Sequence, residues 1–139
     1  MPNHKETSKR FIQLWGDNTP HLATDYVAPG YVNHQLPDAF AGTSTLDFAQ
    51  WQALVKDFHE KFSDVRADIL LQVAEGEYVS TRFEFTATNT GPFDNHHPAT
   101  GNTSTWTGTQ TDRYQDGKLA ESWVDWDKYS FLKGLGLID

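Results

Sequence analysis

The chain has 139 residues, a formal net charge of -8 and no cysteine. That length fits one domain, and the missing thiols exclude disulfides, thiolate metal sites and cysteine nucleophiles. The acidic balance, with no Lys/Arg cluster, argues against a nucleic-acid partner or an anionic membrane surface, since both need a basic face.

Five Trp, five Tyr and nine Phe are a heavy aromatic load for this length. Aromatic rings bring large apolar area at few rotatable bonds, which suits a core or a pocket for a flat ligand. The polar start, Met1 to Arg10, lacks the apolar region of a secretion signal. No apolar run approaches the ~20 residues of a membrane span. The expectation is a soluble cytoplasmic protein.

Phe11, Leu14 and Trp15 mark one face of a first helix. Thr19-Pro20 opens a short second helix, to about Val27, ended by Pro29-Gly30. A polar loop, Tyr31 to Gln35, follows. A longer helix is expected after Gly42, capped by Thr43 or Ser44, with Trp51, Leu54, Val55, Phe58 and Phe62 on its apolar face. From Val65 the period changes to two, and Tyr78 to Asn89 alternates again around Phe83 and Phe85. A long polar loop leads to a strand over Ser104 to Tyr114. Asp116-Gly117 predicts a hairpin turn into a strand from Leu119 to Asp125. A short helix covers Lys128 to Leu137. Three helices and then a run of long antiparallel strands give an α+β class. A strongly curved sheet closed by the N-terminal helices leaves one pocket.

Several segments, in order, resemble the SnoaL-like polyketide cyclase family. They are Tyr31-Val32-Asn33-His34, Thr88-Asn89-Thr90-Gly91-Pro92-Phe93, Pro98-Ala99-Thr100-Gly101 and Trp106-Thr107-Gly108-Thr109-Gln110. Arg113-Tyr114, Asp116-Gly117-Lys118-Leu119, Glu121, Trp123, Asp127 and Leu135-Gly136 complete the pattern. The resemblance implies a cone-shaped fold shared with ketosteroid isomerase and scytalone dehydratase. It implies chemistry without a cofactor, and a homodimer (or tetramer). It also implies that Asp127 is the acid/base aspartate of an intramolecular aldol ring closure. Two family histidines are amides here, Asn89 and Gln110.

The residues themselves allow the same chemistry. Asp127, Trp123 and Leu119 share strand parity, so Asp127 is expected on an aromatic inner face, where desolvation would raise its pKa. It also stands where it could cap the last helix. His34 is a candidate for orienting substrate or relaying a proton, or a structural histidine. Gln110 and Asn89 could donate to a carbonyl or enolate oxygen, or be buried amides paired with backbone. Trp51, Trp106, Trp123 and Phe85 belong to the core and are candidates for lining the pocket. Adjacent His96 and His97 near Asp94 lack the spacing of a metal motif. The chemistry expected is proton transfer next to a carbonyl of a small apolar or aromatic molecule, as in a cyclase, isomerase or dehydratase. The alternatives are a non-catalytic binding protein of the same fold and, more distantly, a cofactor-independent hydroxylase.

Overall fold

The computed structural model describes residues 3–35, 45–92 and 96–138. Helix α1 (His4–Asp17) starts at Asn3, whose side chain accepts from the Glu6 amide. Its buried face is Ser8, Phe11, Ile12, Leu14 and Trp15. A 3-10 turn over Pro20–Asp25 replaces the expected second helix. Helix α2 (Phe48–Lys61) begins later than expected. Its cap is Asp47, in a reciprocal capping box with Gln50. The caps expected at Thr43 or Ser44 lie outside the described residues. Helix α3 (Lys128–Leu135) closes the chain. Among the described residues no helix is long and apolar enough to cross a membrane.

The sheet has five strands: β1 (Val27–His34), β2 (Phe62–Glu75), β3 (Tyr78–Asn89), β4 (Thr103–Gln115) and β5 (Lys118–Trp126). Their order is β1-β5-β4-β3-β2. The last four pair antiparallel, as their alternation predicts. The stretch read as a loop, Tyr31 to His34, is instead part of β1, which runs parallel to β5 and makes the sheet mixed. Pro29 is accommodated because β1 is an edge strand with a register shift between Val27 and Val32. The tight turn after β4 needs positive φ at two positions, and Asp116 and Gly117 supply it at 52° and 78°.

Register shifts interrupt β2 between Ser63 and Arg66 and between Ile69 and Leu71. Another lies between Arg113 and Tyr114 in the β4–β5 ladder. Such bulges bend strands and increase twist, which curves the sheet around the helices. Trp51 of α2 is fully buried, stacked on Phe11 at 4.3 Å and on Phe48 at 5.9 Å. It locks α2 to α1 and is a core residue. Gly16 brings α1 against the β2 backbone, with the Ala67 nitrogen 3.5 Å from where a Cβ would stand.

Candidate functional site

Between the sheet and the helices lies a cavity of about 560 Å³, within the range of sites for small organic molecules. The sheet contributes Phe83, Phe85, Trp106, Gln110, Val124 and Trp126. Helix α1 adds Ile12 and Trp15; α2 adds Leu54, Asp57, Phe58 and Lys61; α3 adds Phe131 and Leu132. The aromatic rings brace one another edge to face. Trp106 meets Phe131 at 4.7 Å and Phe85 at 5.7 Å, and Trp126 meets Phe131 at 5.3 Å. Such packing fixes ring orientation, so the wall is pre-formed.

Gly108 makes this wall possible. It pairs with Phe83 across the β3–β4 ladder. A Cβ there would lie 2.5 Å from the Phe83 ring and 2.7 Å from the Asp125 carbonyl oxygen. Only glycine leaves room for the Phe83 ring at this point.

The polar groups are unevenly placed. Gln35, Asp57, Lys61, His97 and Lys128 line the cavity but are half-buried or exposed. Asp57 pairs with Lys61 at 3.1 Å, one helical turn apart. Gln110 is the buried polar residue of the described lining, 3 % exposed. Its Nε2 donates to Asp112 Oδ1 at 2.9 Å.

Asp112 is fully buried behind Gln110. Burial pushes its carboxyl pKa up, only partly offset by hydrogen bonds from Ser122, Ser8 and Gln110. The Ser122 hydroxyl donates to Oδ1 at 2.6 Å. Tyr31 Oη donates to Ser122 at 2.8 Å, and Asn33 Nδ2 donates to Tyr31 at 2.9 Å. On the other side Ser8 of α1 lies 2.8 Å from the Tyr114 hydroxyl. Ser8 is near enough to favour the charged carboxylate, yet Oδ2 has no hydrogen bond of ordinary geometry. Burial also raises the pKa of Tyr26, Tyr31 and Tyr114, so all three phenols stay neutral and can donate. Sequence reasoning missed Asp112, although the signal was present. The parity that links Trp106, Gly108 and Gln110 reaches Asp112 two residues on.

The candidates divide sharply. Gln110, Trp106 and Phe85 line the cavity. The others do not: Trp51 is buried in the core between α1 and α2, and Asp127, Trp123, His34 and Asn89 also stand outside the lining. Asp127 is exposed and outside the cavity lining. It is the N-cap of α3: Oδ1 accepts from the Ser130 amide at 2.9 Å and Oδ2 from the Ser130 hydroxyl at 2.6 Å. These bonds lower its pKa, the reverse of the shift expected for a desolvated acid/base. The cause is the register shift in the β4–β5 ladder. Leu119 pairs with Tyr114, but Glu121 pairs with Arg113. Inward residues beyond the shift are therefore Ser122, Val124 and Trp126, and Leu119 and Asp127 fall on opposite faces.

Trp123 follows the same logic: it turns away from the cavity and stacks on His34, with ring centroids 5.2 Å apart. His34 Nε2 meets Glu121 at 2.6 Å, and Arg113 Nε donates to the same carboxylate at 3.1 Å. The His34 contact first, and Arg113 with it, hold the Glu121 pKa below its ordinary value. This cluster occupies the opposite face of the sheet. Asn89 is fully buried but committed to backbone. It donates to the Lys61 and Gly91 carbonyls at 2.9 and 3.0 Å and accepts from the Thr100 amide at 2.8 Å. It joins the end of α2 to the loop after β3 and has no donor left for a ligand. His97 lines the cavity mouth. Asp94, considered with it for metal, lies outside the described residues. Among the described residues no three His, Asp or Glu form a cluster that could hold a metal ion.

The family model for SnoaL-like polyketide cyclase matches residues 5–135. The chain belongs to the SnoaL-like polyketide cyclase family. No curated protein matches it. Solved structures of similar fold include IdmH from Streptomyces antibioticus, described as a candidate polyketide cyclase. That similarity has TM-score 0.81 and 23 % identity over 95 % of this chain and 97 % of that one. AclR from Streptomyces galilaeus, described as a candidate hydroxylase, gives 0.80 and 22 % over 97 % and 96 %. TsrD from Streptomyces laurentii gives 0.79 and 18 % over 96 % and 95 %. These likenesses establish the cone-like α+β fold of this SnoaL-like chain; the sheet itself is open, with β1 and β2 at its edges.

Proposed function

We propose that this SnoaL-like protein binds one small, flat, apolar or aromatic carbonyl compound in the cavity and moves a proton next to the carbonyl. The observation that carries the reading is the cavity's polarity pattern: aromatic walls, one buried amide inside, and charged groups toward the mouth. Apolar burial supplies affinity at about 25 cal/mol per Å², and the few polar groups orient the ligand. Asp57 is the carboxylate among the described lining residues. In this reading it takes the base role expected of Asp127. Ring closure, isomerisation and dehydration all begin with that proton transfer.

A second reading, a binding protein without turnover, is favoured by one observation. The carboxylate matching the family's acid/base is an exposed cap. Exchange of the α-protons of β-tetralone in heavy water, followed by NMR, separates the two. Saturable exchange above buffer, lost in Asp57→Asn and kept in Asp127→Asn, supports the enzyme. Binding with no exchange above buffer supports the binding protein. No binding at all overturns both.

A further inference from the structure

We infer that Asp112 fixes the Gln110 amide so that its oxygen, and not its NH₂ group, is offered to the cavity, which selects ligands carrying a hydroxyl donor such as an enol or a phenol. This rests on the cavity being the binding site, as proposed above, and specifies the ligand it takes.

The argument is one of donors and acceptors. A primary amide has two donors on nitrogen and an acceptor oxygen, and which end faces a ligand depends on what holds the other. Gln110 and Asp112 stand at i and i+2 on β4, side by side on one face. Gln110 Nε2 is 2.9 Å from Asp112 Oδ1 and 3.5 Å from Ser122 Oγ. Asp112 Oδ1 also accepts from Ser122, so it acts as acceptor to two donors. An ionised carboxylate accepts only, and a carboxyl protonated on Oδ2 still accepts at Oδ1. The ionised carboxylate and the acid with its proton on Oδ2 both take the NH₂ end of Gln110. The relay from Asn33 through Tyr31 to Ser122 delivers the serine hydrogen to the same oxygen. Turning the amide over would set its oxygen against that oxygen.

What remains is Gln110 Oε1. It accepts no hydrogen bond among the described residues and is not a sealed, unpartnered atom, while the residue lines the cavity. The buried end thus presents an acceptor. The sequence alone suggested the opposite, an amide donating to a carbonyl or enolate oxygen. A ligand hydroxyl satisfies Oε1; an ether or ketone oxygen placed there meets another lone pair and leaves both unpaired. Asp112 is a positioning residue: it touches Gln110, not the ligand.

The test uses three probes with one ring system: naphthalene, β-naphthol and its methyl ether. Affinity is read from quenching of the cavity tryptophans near neutral pH. Wild type should bind β-naphthol roughly three- to tenfold more tightly than the methyl ether, the range of one neutral hydrogen bond. Gln110→Met should erase that ratio while keeping naphthalene. Asp112→Leu removes the acceptor that holds the NH₂ end, lets the amide rotate, and should lower the ratio toward one. A structural role alone would shift all three affinities together and leave the ratio intact. If wild type binds the ring compounds with equal affinity, the donor selection is overturned and the cavity reading stands. If it binds none, the cavity reading fails first. An unchanged ratio in folded Asp112→Leu overturns the positioning role. Should that variant not fold, Gln110→Met decides whether the amide oxygen selects the hydroxyl.

Discussion

The buried carboxyl of Asp112 makes the stability of this protein depend on pH in a direction opposite to that of most surface acids. Asp112 is fully buried, and burial raises its pKa, only partly offset by neutral hydrogen-bond donors. Its unfolded value is about 3.9. Above that value the unfolded chain has released the proton while the folded chain still holds it. The stability associated with the neutral carboxyl is therefore fully present below the unfolded pKa. It is lost as pH rises toward the folded pKa, at up to about 1.4 kcal/mol per pH unit, and the loss levels off beyond it. Asp112→Asn keeps the shape and cannot ionise, so it lacks this slope. Glu121 and Asp127 have lowered pKa values and stabilise above their unfolded values, but they titrate in both proteins and cancel in the difference. Asp112→Val gives the other half of the reasoning. It strands two donors, Gln110 Nε2 and Ser122 Oγ. At about 1–3 kcal/mol for each orphaned group, the loss is roughly 2–6 kcal/mol, much of the ~5–15 kcal/mol of a typical domain. Urea unfolding followed by tryptophan fluorescence, from about pH 3.5, below the unfolded pKa, to mildly alkaline pH, measures all three proteins. The advantage of Asp112→Asn over wild type should grow with pH and then flatten. A difference that stays constant across the range would refute the reasoning, because the carboxyl would then have the same pKa folded and unfolded.

Asp127→Ala should lower Tm measurably and Asp127→Asn should not, since Asn also caps well; equal losses by calorimetry would contradict the cap. Gly108→Ala should cost about 1–3 kcal/mol, in the overpacking range, because the new Cβ would meet the Phe83 ring at 2.5 Å and backbone at 2.7 Å; a denaturant curve matching wild type would show that Phe83 yields freely. His34→Ala should leave β-naphthol affinity within about twofold, because His34 packs on Trp123 outside the cavity lining. A larger loss by fluorescence titration would place His34 in the site after all.

Local chemistry determined much of this protein before any tertiary contact was considered. The apolar face of α1, the alternation of β3 and β4, and the Asp116-Gly117 turn depend on neighbours a few residues apart, and each is found as read. The ordered segments around Trp106–Gln110 and Asp116–Leu119 carried the family, and the parity of Trp106 and Gln110 placed both on the cavity wall. Tyr31 to His34 was not legible as a strand because a parallel edge pairing draws its hydrogen bonds from β5, far along the chain. Asn89 carries no sign of its three backbone partners, which come from segments on either side of it. Asp127 and Trp123 show the limit most clearly. Period two says which residues share a face only while the ladder is regular, and one extra residue exchanges the faces beyond it. The shift between Arg113 and Tyr114 does this to β5. It sends Trp126 inward, leaves Asp127 as a cap, and sets Ser122 beside Asp112. That choice is made by strand pairing across the sheet, where no stretch of sequence acts alone.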